Sequence, residues 1–311
     1  MKNYIRMFLL FACIIMLLPM ALVSNNPSAH ASGDNLNSIA DISVVNMTDK
    51  ATGEEYTITL REYLIGSVMA QMPAYFDYEA LKAQTVINHT SLLYDTYCDY
   101  KSSMLEGYAF MSESDARAYY GDKYDEAYEK VSFAVDESIE YVCTYNSELI
   151  MMPFHAVSAG KTENAGELLN VDIPYLRCAE SSWDGKIQGS VKSVTMPVKE
   201  ANSRLSVEFS LRGDNLYNEI EVVSKTSAGS VKELSISGQS VSVKKFAELF
   251  SLPSENFSVS VDGGNLCITT VGVGHLLGMS QHGANIMAGD GADFKEILEH
   301  YYYGIKITEI F

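Results

Sequence analysis

Tyr56-Thr57-Ile58-Thr59 runs directly into Leu60-Arg61-Glu62-Tyr63-Leu64-Ile65-Gly66-Ser67-Val68-Met69-Ala70-Gln71-Met72-Pro73, and the period of the sequence changes at the junction. The first four residues alternate as a strand does. Thr59 and Glu62 then stand at capping-box spacing, and Leu60, Leu64 and Val68 recur at the spacing of one helical face. Gln71 extends that face. Pro73 stops the helix, because its ring excludes the helical hydrogen bond and restricts the residue before it. A strand feeding an amphipathic helix predicts an α+β fold, and it places a polar amide at a helix end on the side turned towards other structure.

The same reading continues in both directions. Asp77 is placed to cap a second helix, in which Ala80, Ala83, Ile87 and Thr90 form a packing stripe and Lys82, Thr85 and His89 a polar one. Helices are expected over 115–120 and 124–140, broken at Gly121, and strands over 140–145 and 149–157. From about 189 to 271 the pattern becomes short alternating segments, at 191–198, 205–211 and 219–223, interrupted by one helix at 243–250. A glycine-rich loop follows, then a helix at 281–287 ended by Gly289. The last helix, 293–303, has Asp293 and Glu296 as its start signal and Gly304 as its end. The expected organisation is an N-terminal membrane segment over 1–23, a polar linker over 24–51, and a mixed helical and β core over 52–188 and 272–311. A smaller β-rich sub-domain over 189–271 is inserted into that core.

Lys2 and Arg6 precede seventeen uncharged residues, 7–23. That length approaches the ~20 residues of a spanning helix, and the flanking charges follow the positive-inside rule, so the remainder is expected outside the cytoplasm, anchored to the membrane. Ala29-His30-Ala31 before Ser32 has the form of a cleavage site and would instead release the chain. Cys98, Cys143, Cys178 and Cys267 have no metal-ligand spacing; they form disulfides in one of three connectivities or remain thiols. Lys and Arg number 22 against 40 Asp and Glu, a formal charge of -18 spread along the chain, which excludes nucleic acid as a partner. An uncharged or amphoteric polymer such as glycan is compatible with it.

Three clusters carry chemistry: Gln71-Met72-Pro73 with the helix 79–84 behind it; 154–164, containing His155, Ser158, Lys161, Thr162 and Glu163; and 272–283, containing His275, Ser280, Gln281 and His282. Gly160-Lys161-Thr162 ends like a phosphate loop, but His155 occupies the position of the required first glycine. Ala156-Val157-Ser158-Ala159-Gly160 lacks the first glycine of a nucleophile elbow. His155, His275 and His282 lack an HExxH or a carboxylate at ligand spacing, so neither a metal nor another cofactor is expected. Glycines at 272, 274, 278 and 283 let backbone approach something closely.

Residues 56–184 and 272–307 resemble the stage II sporulation protein D (SpoIID/LytB) family. The resemblance is carried by Met72-Pro73, 79–84, 110–145, His155, Ser158 with 160–164, Ile173-Pro174-Tyr175-Leu176-Arg177, Gly272-Val273-Gly274-His275, Gly278-Met279-Ser280-Gln281 and 297–304. It implies an anchored sporulation protein acting on peptidoglycan during engulfment. It also implies lytic transglycosylase chemistry, in which one acid protonates the glycosidic oxygen between N-acetylmuramic acid and N-acetylglucosamine and then, as a base, helps close an anhydro ring. Glycan strands, a cell-wall amidase and other engulfment proteins are the implied partners. Lys82, His89, His155, Ser158, Thr162, His275, Ser280 and Gln281 are the implied substrate-binding residues, and most of these are expected to converge on one groove with Glu163. The family pattern has Glu where Gln71 stands, Arg at His89, Gly at Leu276 and Tyr at His282. Relatives that bind zinc use a His and two Cys between His89 and Met111, where this chain has only Cys98, so no zinc is expected. An amide cannot shuttle a proton. Two readings follow: an enzyme in which another carboxylate, Glu163 before Glu79, replaces the acid, or a glycan-binding pseudoenzyme, scaffold or amidase activator.

Overall fold

The computed structural model describes residues 43–48, 53–97, 109–187 and 189–310. The apolar run 7–23 and Cys98 lie outside them; among the described residues no helix is long and apolar enough to cross a membrane. The fold is α+β, with helices and several small sheets. The chain forms two compact units: one takes the described residues up to Pro153 and those from Ala284 onward, the other spans Phe154–Gly283. The alternating segments over 189–271 are part of this second, wider unit.

The first unit is built around two helices. Leu60–Gln71 begins at a capping box: the Glu62 amide donates to Thr59 Oγ1 at 3.2 Å and the Thr59 amide to Glu62 Oε2 at 2.8 Å. Tyr78–Tyr97 follows, with the Glu79 amide bonded to Asp77 Oδ1 at 3.2 Å. The expected polar stripe of this helix is not a solvent face, because Thr85 and His89 are as buried as Ala80 and Ile87. Thr90 shows how such a residue is satisfied: its hydroxyl donates to the Val86 carbonyl at 2.7 Å and accepts from the Cys143 amide at 2.9 Å, tying the helix to a strand. That strand, Tyr141–Tyr145, sits between Lys306–Glu309 and Glu148–Leu149 in an antiparallel sheet.

Several boundaries differ from the sequence reading. Val44–Thr48, inside the expected linker, is a strand paired antiparallel with Glu55–Thr59. The helix expected over 124–140 ends at Asp136, and the strand expected over 149–157 is replaced by two separate two-residue strands, Glu148–Leu149 and Phe154–His155. The last helix, Phe294–Tyr301, has the predicted Asp293–Glu296 capping box.

The second unit has its own apolar core, with Leu205, Leu216, Leu234, Phe246, Phe257 and Ile268 buried together. Phe246 stacks on Phe257 at 5.2 Å. Around this core lie two antiparallel three-stranded sheets, one with the order Phe257–Asp262, Asn265–Val271, Val191–Pro197 and the other with the order Ile220–Lys225, Val231–Ile236, Gln239–Val241. Residues 205–211 are not a strand. Leu205 belongs to the helix Val198–Phe209, where Ala201 and Leu205 at helical spacing reach the core and Val207 is left 79% exposed.

Candidate functional site

In the first unit, Gln71 closes its helix and is 2% exposed. Its amide is oriented by opposite partners: Nε2 donates to the Ala109 carbonyl at 3.2 Å, and Oε1 accepts from Gln84 Nε2 at 3.3 Å. Gln84 also donates to Asn88 Oδ1, one turn along its helix, at 2.9 Å. The site holds a neutral group that donates on one side and accepts on the other, as an amide or a protonated carboxyl does.

Lys82 is occupied by its neighbours: its ammonium lies 2.9 Å from Glu79 and 3.5 Å from Glu137, and 4.9 Å from the Phe294 ring centre. Glu79 is likewise committed, since its second oxygen accepts from the Phe294 amide at 2.8 Å and caps the last helix. His89 is buried against the Ile139 and Tyr141 carbonyls; desolvation outweighs those two acceptors and lowers its pKa to about 4, so it is a neutral core residue.

The second unit brings the 154–164 and 272–283 clusters together. Met279–Ser280 pairs in parallel with Phe154–His155, and Val157 bridges Val273. His155 is fully buried with Nδ1 3.2 Å from the Leu277 carbonyl, which only accepts; the ring therefore carries its hydrogen on Nδ1 and leaves Nε2 as an acceptor with no partner among the described residues. His275 has the other tautomer, since Nδ1 accepts from the Leu277 amide at 3.1 Å, and the nearby Phe154 carbonyl partly offsets its burial. The rings lie 6.0 Å apart. Burial lowers His155 to about 3, with His275 adding to the effect, and His275 itself to about 4. Both are neutral bridges between two loops at physiological pH.

Their neighbours are also internally bonded. The Ser158 amide and the Ser181 hydroxyl both donate to Asp184 Oδ2 at 2.9 Å. Burial lowers the His282 pKa, and Asp184 partly offsets the effect. Thr162 Oγ1 accepts from the Ala179 amide at 2.9 Å, and Ser280 Oγ accepts from the Gly283 amide at 3.1 Å. Glu163 is fully buried, with Oε1 accepting from Thr226 at 2.9 Å; desolvation raises its pKa against the hydrogen bonds of Ser230 and Thr226. Gln281 is 2% exposed. Of the predicted binding residues, only Lys82 and His275 keep a partly exposed surface.

The glycines of the second loop do admit a close approach, and what approaches is the chain's own 155–158 segment. With φ of 81° and 102°, Gly272 and Gly274 have backbone that a side chain disfavours; a Cβ at Gly274 would lie 2.9 Å from His155 Cβ, and one at Gly272 3.0 Å from the Val157 carbonyl oxygen. Leu276 shares the left-handed conformation at φ 62° while buried, so the loop carries strain of about 1–2 kcal/mol that glycine would not.

Stage II sporulation protein D of Bacillus amyloliquefaciens is 33% identical to this chain over 261 residues, covering 81% of this chain and 75% of that protein. The chain belongs to the stage II sporulation protein D family. The protein of the same name from Bacillus subtilis is 31% identical over the same extent. A B. subtilis protein named amidase enhancer is 28% identical over 79% of this chain and 40% of its own length. The family model described as Stage II sporulation protein matches residues 48–145, the stretch holding Gln71, Lys82 and His89. The sequence pattern assigns no role to Gln84, Asn88, Ser181 or Asp184. Gln84 lies within a stretch that resembles the family, but its contact with Gln71 crosses from one helix to the next and leaves no periodic trace.

Proposed function

We propose that this family member is an exported cell-wall protein of sporulating cells, held at the outer membrane face by residues 7–23, that binds peptidoglycan glycan strands and cleaves them far more slowly than relatives with a carboxyl at position 71. The observation that carries the reading is the Gln71 amide, fixed by Ala109 and Gln84 where the family resemblance expects the general acid. An amide has no proton to give at any physiological pH, and general acid–base catalysis typically supplies ~10²–10⁴-fold. Of the two alternative carboxyls, Glu79 is spent on Lys82 and a helix cap, and Glu163 is buried with Oε1 bonded to Thr226 and Oε2 without a partner among the described residues. A second reading, promotion of a separate amidase, is supported by the likeness to the protein named amidase enhancer. Purified chain is expected to sediment with isolated peptidoglycan and, in the second reading, to speed peptide release by an added N-acetylmuramoyl-L-alanine amidase. Chain left in the supernatant would refute glycan binding. Fractionation tests the anchor: recovery only in the medium, starting at Ser32, would contradict it.

A further inference from the structure

One groove in the first unit is lined by none of the predicted site residues. It has a volume of about 540 Å³, within the range of ~300–1,000 Å³ typical of ligand sites, and it opens beside the helix Leu60–Gln71. Ile65, Met69 and Phe110 line its apolar part, and Tyr56 and Tyr128 stand at it 39% and 36% exposed. Its charged lining is Glu62, Glu113 and Asp125 against a single base, Arg117.

That base is already neutralised. Arg117 lies 2.9 Å from the Glu113 carboxylate and 3.9 Å from Asp125, and its guanidinium sits 4.1 Å from the centre of the Tyr124 ring. Tyr124 in turn stacks on Tyr128 at 5.7 Å. The groove thus shows an approaching molecule aromatic faces and surplus negative charge, in a chain of net charge -18. The free carboxylates of peptidoglycan stem peptides would be repelled there. A neutral sugar donates its hydroxyls to these carboxylates but leaves their negative charge uncompensated. A lysine or arginine side chain does both things the surface requires, pairing with Asp125 or Glu62 and lying on a tyrosine face.

We propose that this groove docks a basic, partly apolar segment of a partner protein, with Tyr128 and Asp125 as its main contacts. The site does not depend on position 71, so it stands whether or not the chain cuts glycan. Its probe is a fluorescein-labelled peptide alternating lysine and leucine, titrated against the full chain and followed by anisotropy. Its controls are the same peptide with glutamate for lysine and an unlabelled chitotetraose competitor. Asp125 has a 94% exposed side chain and Tyr128 a partly exposed one, so Asp125→Asn and Tyr128→Ala are expected to fold as the parent does. Each should weaken the lysine peptide about tenfold, and added salt should weaken it further. Lysine-peptide binding that neither substitution changes, or no binding at all, would overturn the proposal. Displacement by chitotetraose that Tyr128→Ala abolishes would also overturn it, by making the occupant a glycan.

Discussion

Replacing Gln71 by Glu puts a titratable group into a setting that accepts only its protonated form. The protonated acid can keep these two bonds, donating to the Ala109 carbonyl and accepting from Gln84. The ionised acid loses the donor, faces the carbonyl oxygen with negative charge, and does so at a position 2% exposed. Full burial raises a carboxyl by ~3–5 pKa units, and the lower end places this one near ~7 from an ordinary ~4.3. With a folded pKa above the unfolded one, the native state holds the extra proton, so stability is retained below ~4.3 and lost as pH rises through ~7. At ~1.4 kcal/mol per unit, the variant should fall behind the parent by about 4 kcal/mol near pH 8 and by about 1 kcal/mol near pH 5. Urea unfolding of both proteins at the two pH values reads this directly, because the parent has nothing to titrate at position 71. A difference independent of pH would show that the introduced carboxyl is not held protonated by its burial.

Three further outcomes follow from local geometry. Thr59→Ala removes the hydroxyl that caps the Leu60–Gln71 helix and should cost about 1 kcal/mol in urea unfolding; no loss would show the helix start held by other contacts. Gly66→Ala would drive a Cβ into Phe110 Cε2 and to 2.8 Å from the Met111 carbonyl oxygen, and should cost about 1–3 kcal/mol, whereas a neutral result would place Phe110 elsewhere. His89, His155 and His275 have folded pKa values of about 4, about 3 and about 4, below the ordinary ~6.5, so the stability they allow is complete above ~6.5 and is lost as pH falls through about 4. Proton NMR titration that finds any of these rings charged at about pH 6 would contradict the burial.

The helix starts were legible because their signals are local: Thr59 with Glu62 and Asp293 with Glu296 lie within one turn, and both boxes are formed. Residues 205–211 misled because Leu205, Val207, Phe209 and Leu211 alternate, while the opposing helical signal, Ala201 to Leu205, depends on which face meets the core. The candidate site was legible as three polar clusters, and the pairing of Phe154–His155 with Met279–Ser280 brings two of them together. Sequence could not show that most of these polar groups are spent on each other. The Ser158–Asp184 and Glu163–Thr226 bonds and the opposed histidine tautomers are tertiary facts, set by loops that meet only in the folded unit. At position 71 the sequence shows only an amide at a helix end, and the structure supplies the Ala109 and Gln84 partners that orient it.

On the proposed function, an amide at position 71 removes the proton that glycan cleavage needs. Anhydro-muropeptide release from purified glycan strands, compared between the native chain, Gln71→Glu and Glu163→Gln, tests it most directly. Release by the native chain is expected to be at least ~10²-fold below that of Gln71→Glu, with Glu163→Gln no different from native. Robust release by the native chain that Glu163→Gln abolishes would contradict the account.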